Sequence, residues 1–203
     1  STQGVSSAAS DVYKRQDPNG YDGVFIGPNA DLFGASFNGL NLSGIDLSDF
    51  ELRNNAGMGL IECPVALPNG YYCMNNNIVG PSLNLYGANL SGLNMSMLNL
   101  TGTNANHLPY CPLSLPSDYV CISENPSNSA AHQEISYIIL GPSIELRGSG
   151  QNYYNLTNMD LSGINLSNAY LQLTDFTNTD FTDANIEGTN WWYCICPDGT
   201  HSE

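Results

Sequence analysis

Six cysteines are the side chains of this 203-residue chain best suited to chemistry, and four of them stand in a repeated frame. Cys63 to Cys73 reads C-P-V-A-L-P-N-G-Y-Y-C and Cys111 to Cys121 reads C-P-L-S-L-P-S-D-Y-V-C, so both are C-P-x-x-L-P-x-x-Y-x-C with a spacing of ten. Paired thiols either hold zinc or oxidise to a disulfide. No histidine recurs with these pairs and neither loop contains a metal quartet, which points away from zinc. We expect Cys63–Cys73 and Cys111–Cys121 disulfides, each closing a hairpin-like loop, and hence an oxidising compartment, extracellular or at the cell surface. Cys194 and Cys196 open what reads as another Cys-Pro insert, whose second cysteine ten positions on would fall past Glu203; these two are expected to be unpaired or intermolecular.

Other reactive groups form no recognisable constellation. His107, His132 and His201 fall in or beside interruptions or at the terminus and read as solvated loop residues. No Ser-centred elbow, phosphate-cradling Gly loop or His-Glu zinc signature is present. Asp175 and Asp180 could pair as carboxylates, but both occupy one outward repeat position, so their spacing follows from the fold. The expectation is no catalysis, no cofactor and no metal. Six Asn-x-Ser/Thr sequons, at Asn41, Asn89, Asn94, Asn99, Asn155 and Asn165, would be glycan acceptors in a secreted eukaryotic chain, although a repeat of the form N-L-S/T generates sequons automatically. With 19 acids against 4 bases the formal charge is −15, which opposes direct contact with nucleic acid or an anionic membrane. No apolar run reaches the length of a membrane-spanning helix, so no membrane insertion is expected.

What positions these residues is a period of five. From Ala30 the chain reads ADLFG, ASFNG, LNLSG, IDLSD, FELRN, with Leu32, Phe37, Leu42, Leu47 and Leu52 at the centre of each step. Two positions before each centre stands a second apolar or small residue: Ala30, Ala35, Leu40, Ile45 and Phe50. The same grammar returns from Leu83 to Ala105 and again from Tyr154 to Tyr193. Neither a helix at 3.6 nor a strand at 2.0 buries such a pattern on one side. A short extended side followed by a turn does, with the two apolar positions facing inward and Gly, Asn, Ser and Asp at the corner.

These steps resemble the pentapeptide-repeat proteins, whose consensus is A-(D/N)-L-x-x. The resemblance implies an all-β, right-handed quadrilateral β-helix of four repeats per coil, here with disulfide-closed loop insertions. Residues four steps apart should then be stacked: Leu156 with Phe176, Leu161 with Phe181, Leu166 with Ile186. Asn165 on Asn185 should form an amide ladder, and Asp160 on Asp180 a like-charge stack.

The expected organisation is a non-native or disordered leader over 1–16, a first repeat block over 17–61, a Cys-Pro insert and Gly-Pro restart over 62–82, and a second block over 83–107. A second insert and restart follow over 108–143, a third block over 144–193, and the start of a truncated third insert over 194–203. Pro18-Asn19-Gly20-Tyr21 and Phe25-Ile26-Gly27-Pro28 echo the tail of an insert, so both ends read as cut from a longer array. The favoured function is a non-enzymatic extracellular structural protein whose modules associate with themselves end to end into a rod or filament, using Trp191, facing inward, and Trp192, facing out, at the C-terminal contact. An acidic DNA mimic that binds DNA gyrase, as some members of the resembled family do, is the alternative. Ice or glycan binding by a Thr-bearing face of Thr174, Thr177, Thr179 and Thr182 ranks third.

Overall fold

The computed structural model describes residues 31–124, 135–147 and 153–202, together with the backbone of β1 (Tyr13–Gln16) and β2 (Asp22–Phe25). Ala30, His132, residues 1–12 and the stretches 17–21 and 26–28 lie outside the described residues. β1 belongs to the leader segment expected to stand outside the fold, yet its backbone pairs antiparallel with β2, Tyr13 opposite Phe25. The remaining strands are short: β3 (Tyr72–Met74), β4 (Asn77–Val79), β5 (Val120–Ser123), β6 (Tyr137–Leu140), β7 (Glu145–Arg147), β8 (Tyr154–Asn155), β9 (Tyr170–Gln172), β10 (Thr174–Asp175) and β11 (Asn190–Trp192). Among the described residues there is no helix.

Most rungs share one spacing, four five-residue steps; β7 pairs β9 five residues further apart, Glu145 opposite Tyr170. Parallel bridges join Ser36 to Ala56, Asp46 to Ala66, Asn84 to Asn104, Asn94 to Ser114, Asp160 to Asp180, Asn165 to Asn185 and Asp175 to Ile195. β8 pairs with β10 and β9 with β11 in the same register. The chain is therefore a β-helix solenoid in which one coil consumes four steps.

Each step folds for local reasons. The Asp or Asn before the central residue accepts a hydrogen bond from the backbone N–H two positions on, as Asp31 does from Phe33 at 3.0 Å and Asn41 from Ser43 at 2.9 Å. The central carbonyl then accepts from the residue three further, Ala35 N–H to Leu32 O at 2.9 Å, closing a turn whose third residue has positive φ. This is type II turn chemistry, which favours Gly or Asn there. One corner can be followed up the molecule through Gly34, Asn54, Ser82, Gly102, Ser143, Asn168 and Gly188, all left-handed, each N–H bonding at or beside the next. The column passes both inserts, so the loops leave the solenoid and return without displacing its register.

Packing follows from the two inward positions. Leu32, Phe37, Leu47, Leu85, Leu90, Leu156, Leu166 and Phe176 are fully buried, and Ala88, Leu93, Ile164 and Ala169 fill the companion position. Each buried large side chain contributes about 1.5–3 kcal/mol. At four polar companion positions the side chain turns to the coil before it, while Thr174 Oγ1 stays local and donates to Gln172 O at 3.4 Å. Thr103 Oγ1 donates to Gly80 O at 3.0 Å, Thr179 Oγ1 to Leu156 O at 2.6 Å and Thr189 Oγ1 to Leu166 O at 2.7 Å, and Asn55 Nδ2 donates to Leu32 O in the same way.

The inserts share one construction. The Cys-Pro half stays on the solenoid: Asn41 bridges Glu62, a slip of one residue, and Asp46 to Ala66 restores the regular spacing. The chain turns at Pro68–Tyr71, forms the antiparallel β3–β4 hairpin through Asn75 and Asn76, both at positive φ, and re-enters the ladder at Gly80-Pro81. β5 and β6 repeat the arrangement, with Cys121 opposite Ile139 as Cys73 is opposite Ile78.

Candidate assembly end and disulfide loops

The sulfur chemistry is as expected for the four loop cysteines. Cys63 is bonded to Cys73 and Cys111 to Cys121, with Cα separations of 6.1 and 5.9 Å, in the ordinary range for a disulfide. Cys194 and Cys196 are free. Cys194 takes the inward companion position, fully buried, its Sγ 3.5 Å from Leu171 O, and burial pushes its thiol up to about 11. Cys196 is half-buried and follows Ile195, whose carbonyl accepts from Phe176 N–H as the Glu62 carbonyl before Cys63 accepts from Leu42 N–H. Cys196 thus stands on the solenoid where Cys63 stands. The chain beyond it forms a tight turn that brings His201 antiparallel to Ile195, and Ser202 Oγ donates to Trp191 O.

The last coil differs from those before it. Leu161 and Phe181 lie on adjacent coils, since Leu161 N–H bonds Asp180 O, and Leu156 with Phe176 and Leu166 with Ile186 are brought together by the same register. But while Leu166 is fully buried, Ile186 one coil later is 46% exposed. Phe176, Phe181 and Trp191 pack edge to face with centroids 5.4–5.7 Å apart, Trp191 partly buried among them. Trp192 points outward, 44% exposed, against Tyr170 and Tyr193.

Every sequon is a turn. The side-chain oxygens of Asn41, Asn89, Asn94, Asn99, Asn155 and Asn165 each accept from the backbone N–H of the Ser or Thr two positions on. Asp160, Asp175 and Asp180 do the same. The expected amide ladder is therefore corrected: Asn165 and Asn185 share a rung, but each oxygen serves its own turn, and the inter-coil amide bond is at the corner, Asn178 Nδ2 to Asn158 Oδ1 at 3.3 Å. Asp160 and Asp180 are stacked as expected. Hydrogen bonds from Ser162 and Thr182 hold both carboxyls below the usual range, outweighing the mutual repulsion.

The Thr face is also corrected. Thr174 and Thr179 are 0% and 5% exposed, because they sit at the inward companion position, so they contribute nothing to an outer surface. His107 stacks on Tyr86 at 4.9 Å and meets the edge of Tyr154 at 5.8 Å; His201 is exposed in the terminal turn. Among the described residues no group of three His, Cys, Asp or Glu is placed to hold a metal. An open groove of about 430 Å³ lies between the first insert's hairpin and the coils, lined by amides and hydroxyls: Asn38, Asn75, Asn77, Asn89 and Ser91, with Met58.

Sequence reasoning missed one feature of the inserts. The tyrosine of each C-P-x-x-L-P-x-x-Y-x-C frame lies on the glycine of the following Gly-Pro: Tyr71 on Gly80, Tyr119 on Gly141. Tyr71 Oη donates to Leu52 O at 2.8 Å and Tyr119 Oη to Pro142 O at 2.9 Å. The signal is the co-occurrence of the two motifs, which read separately as two unrelated marks.

Five-residue steps, rungs four steps apart and disulfide-closed side loops define the class: a β-solenoid with stapled excursions. The family model for pentapeptide repeats matches the chain in 8 copies, over residues 28–49 and 155–190, so these two segments are pentapeptide repeats. The block from Leu83 to Ala105 lies outside the matched residues, yet its rungs continue the same solenoid. Searches of curated proteins and of solved structures find no match. No helix of the described residues is long and apolar enough to cross a membrane.

Proposed function

We propose that this chain is a non-enzymatic, extracellular structural protein in which right-handed, four-sided β-helix modules associate end to end into a rod or filament. The stacked coils, stapled by two disulfides, carry this reading. Ile186 and Trp192 are 46% and 44% exposed on the last coil, whereas Leu166, one coil before Ile186, is fully buried. Coils of this kind add by stacking, and the aromatic-rich face around Trp191 and Trp192 suits stacking against a coil of a neighbouring module. The two loop disulfides suit an oxidising, extracellular setting. The carboxylates that could have served acid–base chemistry are committed to turns, which supports a role without catalysis.

Electron microscopy of the full chain prepared under oxidising conditions tests it: end-to-end chains or filaments are expected, and monodisperse short rods would refute it. The DNA-mimic reading needs a continuous acidic stripe, whereas the middle of this sequence carries no charge at all from Cys63 to Ser117. A gyrase supercoiling assay is expected to show no inhibition.

A further inference from the structure

All 19 acidic and 4 basic residues of this chain precede Cys63 or follow Ser117. The span between holds the first Cys-Pro loop, the second repeat block and the front of the second Cys-Pro loop, without a single Asp, Glu, Lys or Arg. The same span holds the most exposed large apolar side chains of the described residues. Met97 is 92% exposed, Leu113 75% and Val65 67%, where a soluble monomer would place polar groups.

The exposed residues are duplicated because the inserts are. Val65 is two positions after Cys63 and Leu113 two after Cys111; Tyr72 and Val120, 49% and 40% exposed, each precede the second cysteine of their loop. Val65 and Leu113 occupy the same wall, since each immediately precedes an equivalent rung, Ala66 on Asp46 and Ser114 on Asn94. Met97 stands in the coil between, at the turn that follows Asn94. Two apolar patches, held rigid by disulfides and two coils apart, therefore flank a methionine whose unbranched side chain adapts to irregular surfaces.

We propose that this wall is a side-by-side interface with a second copy of the chain. A two-fold axis perpendicular to the solenoid, passing near Met97, places the first loop of one copy against the second loop of its partner, and the reverse, so both patches are covered at once. The charge distribution selects this occupant and this overlap. Two copies carrying −15 each repel wherever their charged ends meet, and burying a carboxylate without a partner is costly. Only the uncharged middle can be desolvated free of that cost. The interface is separate from the end-to-end contact, which uses Trp192 on the last coil.

Sedimentation velocity of the oxidised full chain across micromolar concentrations tests it, in a Trp192→Glu background that removes the end contact. Twice the monomer mass is expected, and raising the salt should strengthen pairing by screening the charged ends. Val65→Glu with Leu113→Glu should weaken it at least tenfold with circular dichroism unchanged, and Met97→Gln, which adds no charge, should weaken it measurably. A monomer at every concentration, pairing that salt dissolves, or pairing indifferent to these exposed substitutions would overturn the proposal, as would a monomer that instead binds neutral phospholipid vesicles. Absence of filaments from the chain with Trp192 intact, while pairing persists, would count against the end-to-end reading alone.

Discussion

The ring of Tyr71 lies so close to Gly80 that a Cβ on the glycine would stand 2.5 Å from Cδ1, and Tyr119 meets Gly141 at 2.3 Å in the same way. Neither glycine has positive φ, so the requirement is for space and not for backbone freedom. The tyrosine of each disulfide loop thus locks the loop onto the Gly-Pro step that restarts the solenoid.

Gly80→Ala and Gly141→Ala should each destabilise the fold by about 1–3 kcal/mol, the cost of forcing a methyl group into a packed site. Tyr71→Phe, which keeps the ring and removes only the bond to Leu52 O, should cost about 1 kcal/mol. Denaturant unfolding measures all three; an alanine at 80 as stable as the natural glycine would show that the ring moves aside freely.

Opening either disulfide, by Cys63→Ser with Cys73→Ser or by the pair at 111 and 121, should lower stability by about 2–4 kcal/mol. Because the Cys-Pro half of each insert is bonded into the coil through rungs such as Asp46 to Ala66, the solenoid should persist. Hydrogen exchange should rise in the hairpin of the opened loop, β3 and β4 for the first pair and β5 and β6 for the second, and stay slow at Phe37 and Leu47.

The two free thiols should react unequally. Burial pushes Cys194 up to about 11, so at pH 8 it is neutral and enclosed, while Cys196 is half-buried. Alkylation of the native chain should modify Cys196 first, with Cys194 reacting only on unfolding. Equal rates for both would contradict the inward placement of Cys194.

Acid should weaken the fold through the turn carboxylates. Hydrogen bonds from Ser48, Ser162, Thr182 and Thr200 lower the pKa of Asp46, Asp160, Asp180 and Asp198. A carboxyl lowered by folding contributes stability that is complete above its unfolded pKa, about 4, and is lost as pH falls through the folded value. Asp160→Asn with Asp180→Asn keeps the accepting oxygen and removes both the titration and the like-charge stack. Melting temperature below pH 4 should therefore fall less steeply in this variant than in the natural chain; parallel slopes would remove the carboxylates from the explanation.

The sequence makes the five-residue step, its inward centre and the two loop disulfides legible because each is a local pattern: Leu32 to Leu52 repeat in phase, and Cys63 and Cys111 open the same frame. Rungs such as Asp160 on Asp180 follow once four steps make a coil. What stays hidden depends on contacts between coils. Thr179 looks like an outward polar residue until its hydroxyl meets Leu156 O on the coil before. Asn165 and Asn185 look like a ladder, but the N–H groups of Ser167 and Glu187 engage their oxygens first. The Cys-Pro halves read as interruptions, whereas their backbones continue the wall through a slip of one residue at Glu62. The exclusion of charge between Cys63 and Ser117 is plain in the sequence and acquires meaning only when Met97 and Leu113 prove exposed.

The four-step coil is tested most directly by cross-linking exposed turn positions. Ser162 and Thr182 are exposed on adjacent coils, where Gly163 N–H bonds Thr182 O, about one strand spacing of 4.8 Å apart. In a chain with Cys194 and Cys196 replaced by Ala, Ser162→Cys with Thr182→Cys should oxidise rapidly to a disulfide without loss of melting temperature. Ser162→Cys with Thr177→Cys, three steps apart and on a different wall, should not. The reverse preference, or equal rates for both pairs, would mean that the chain does not climb one strand spacing with every four steps.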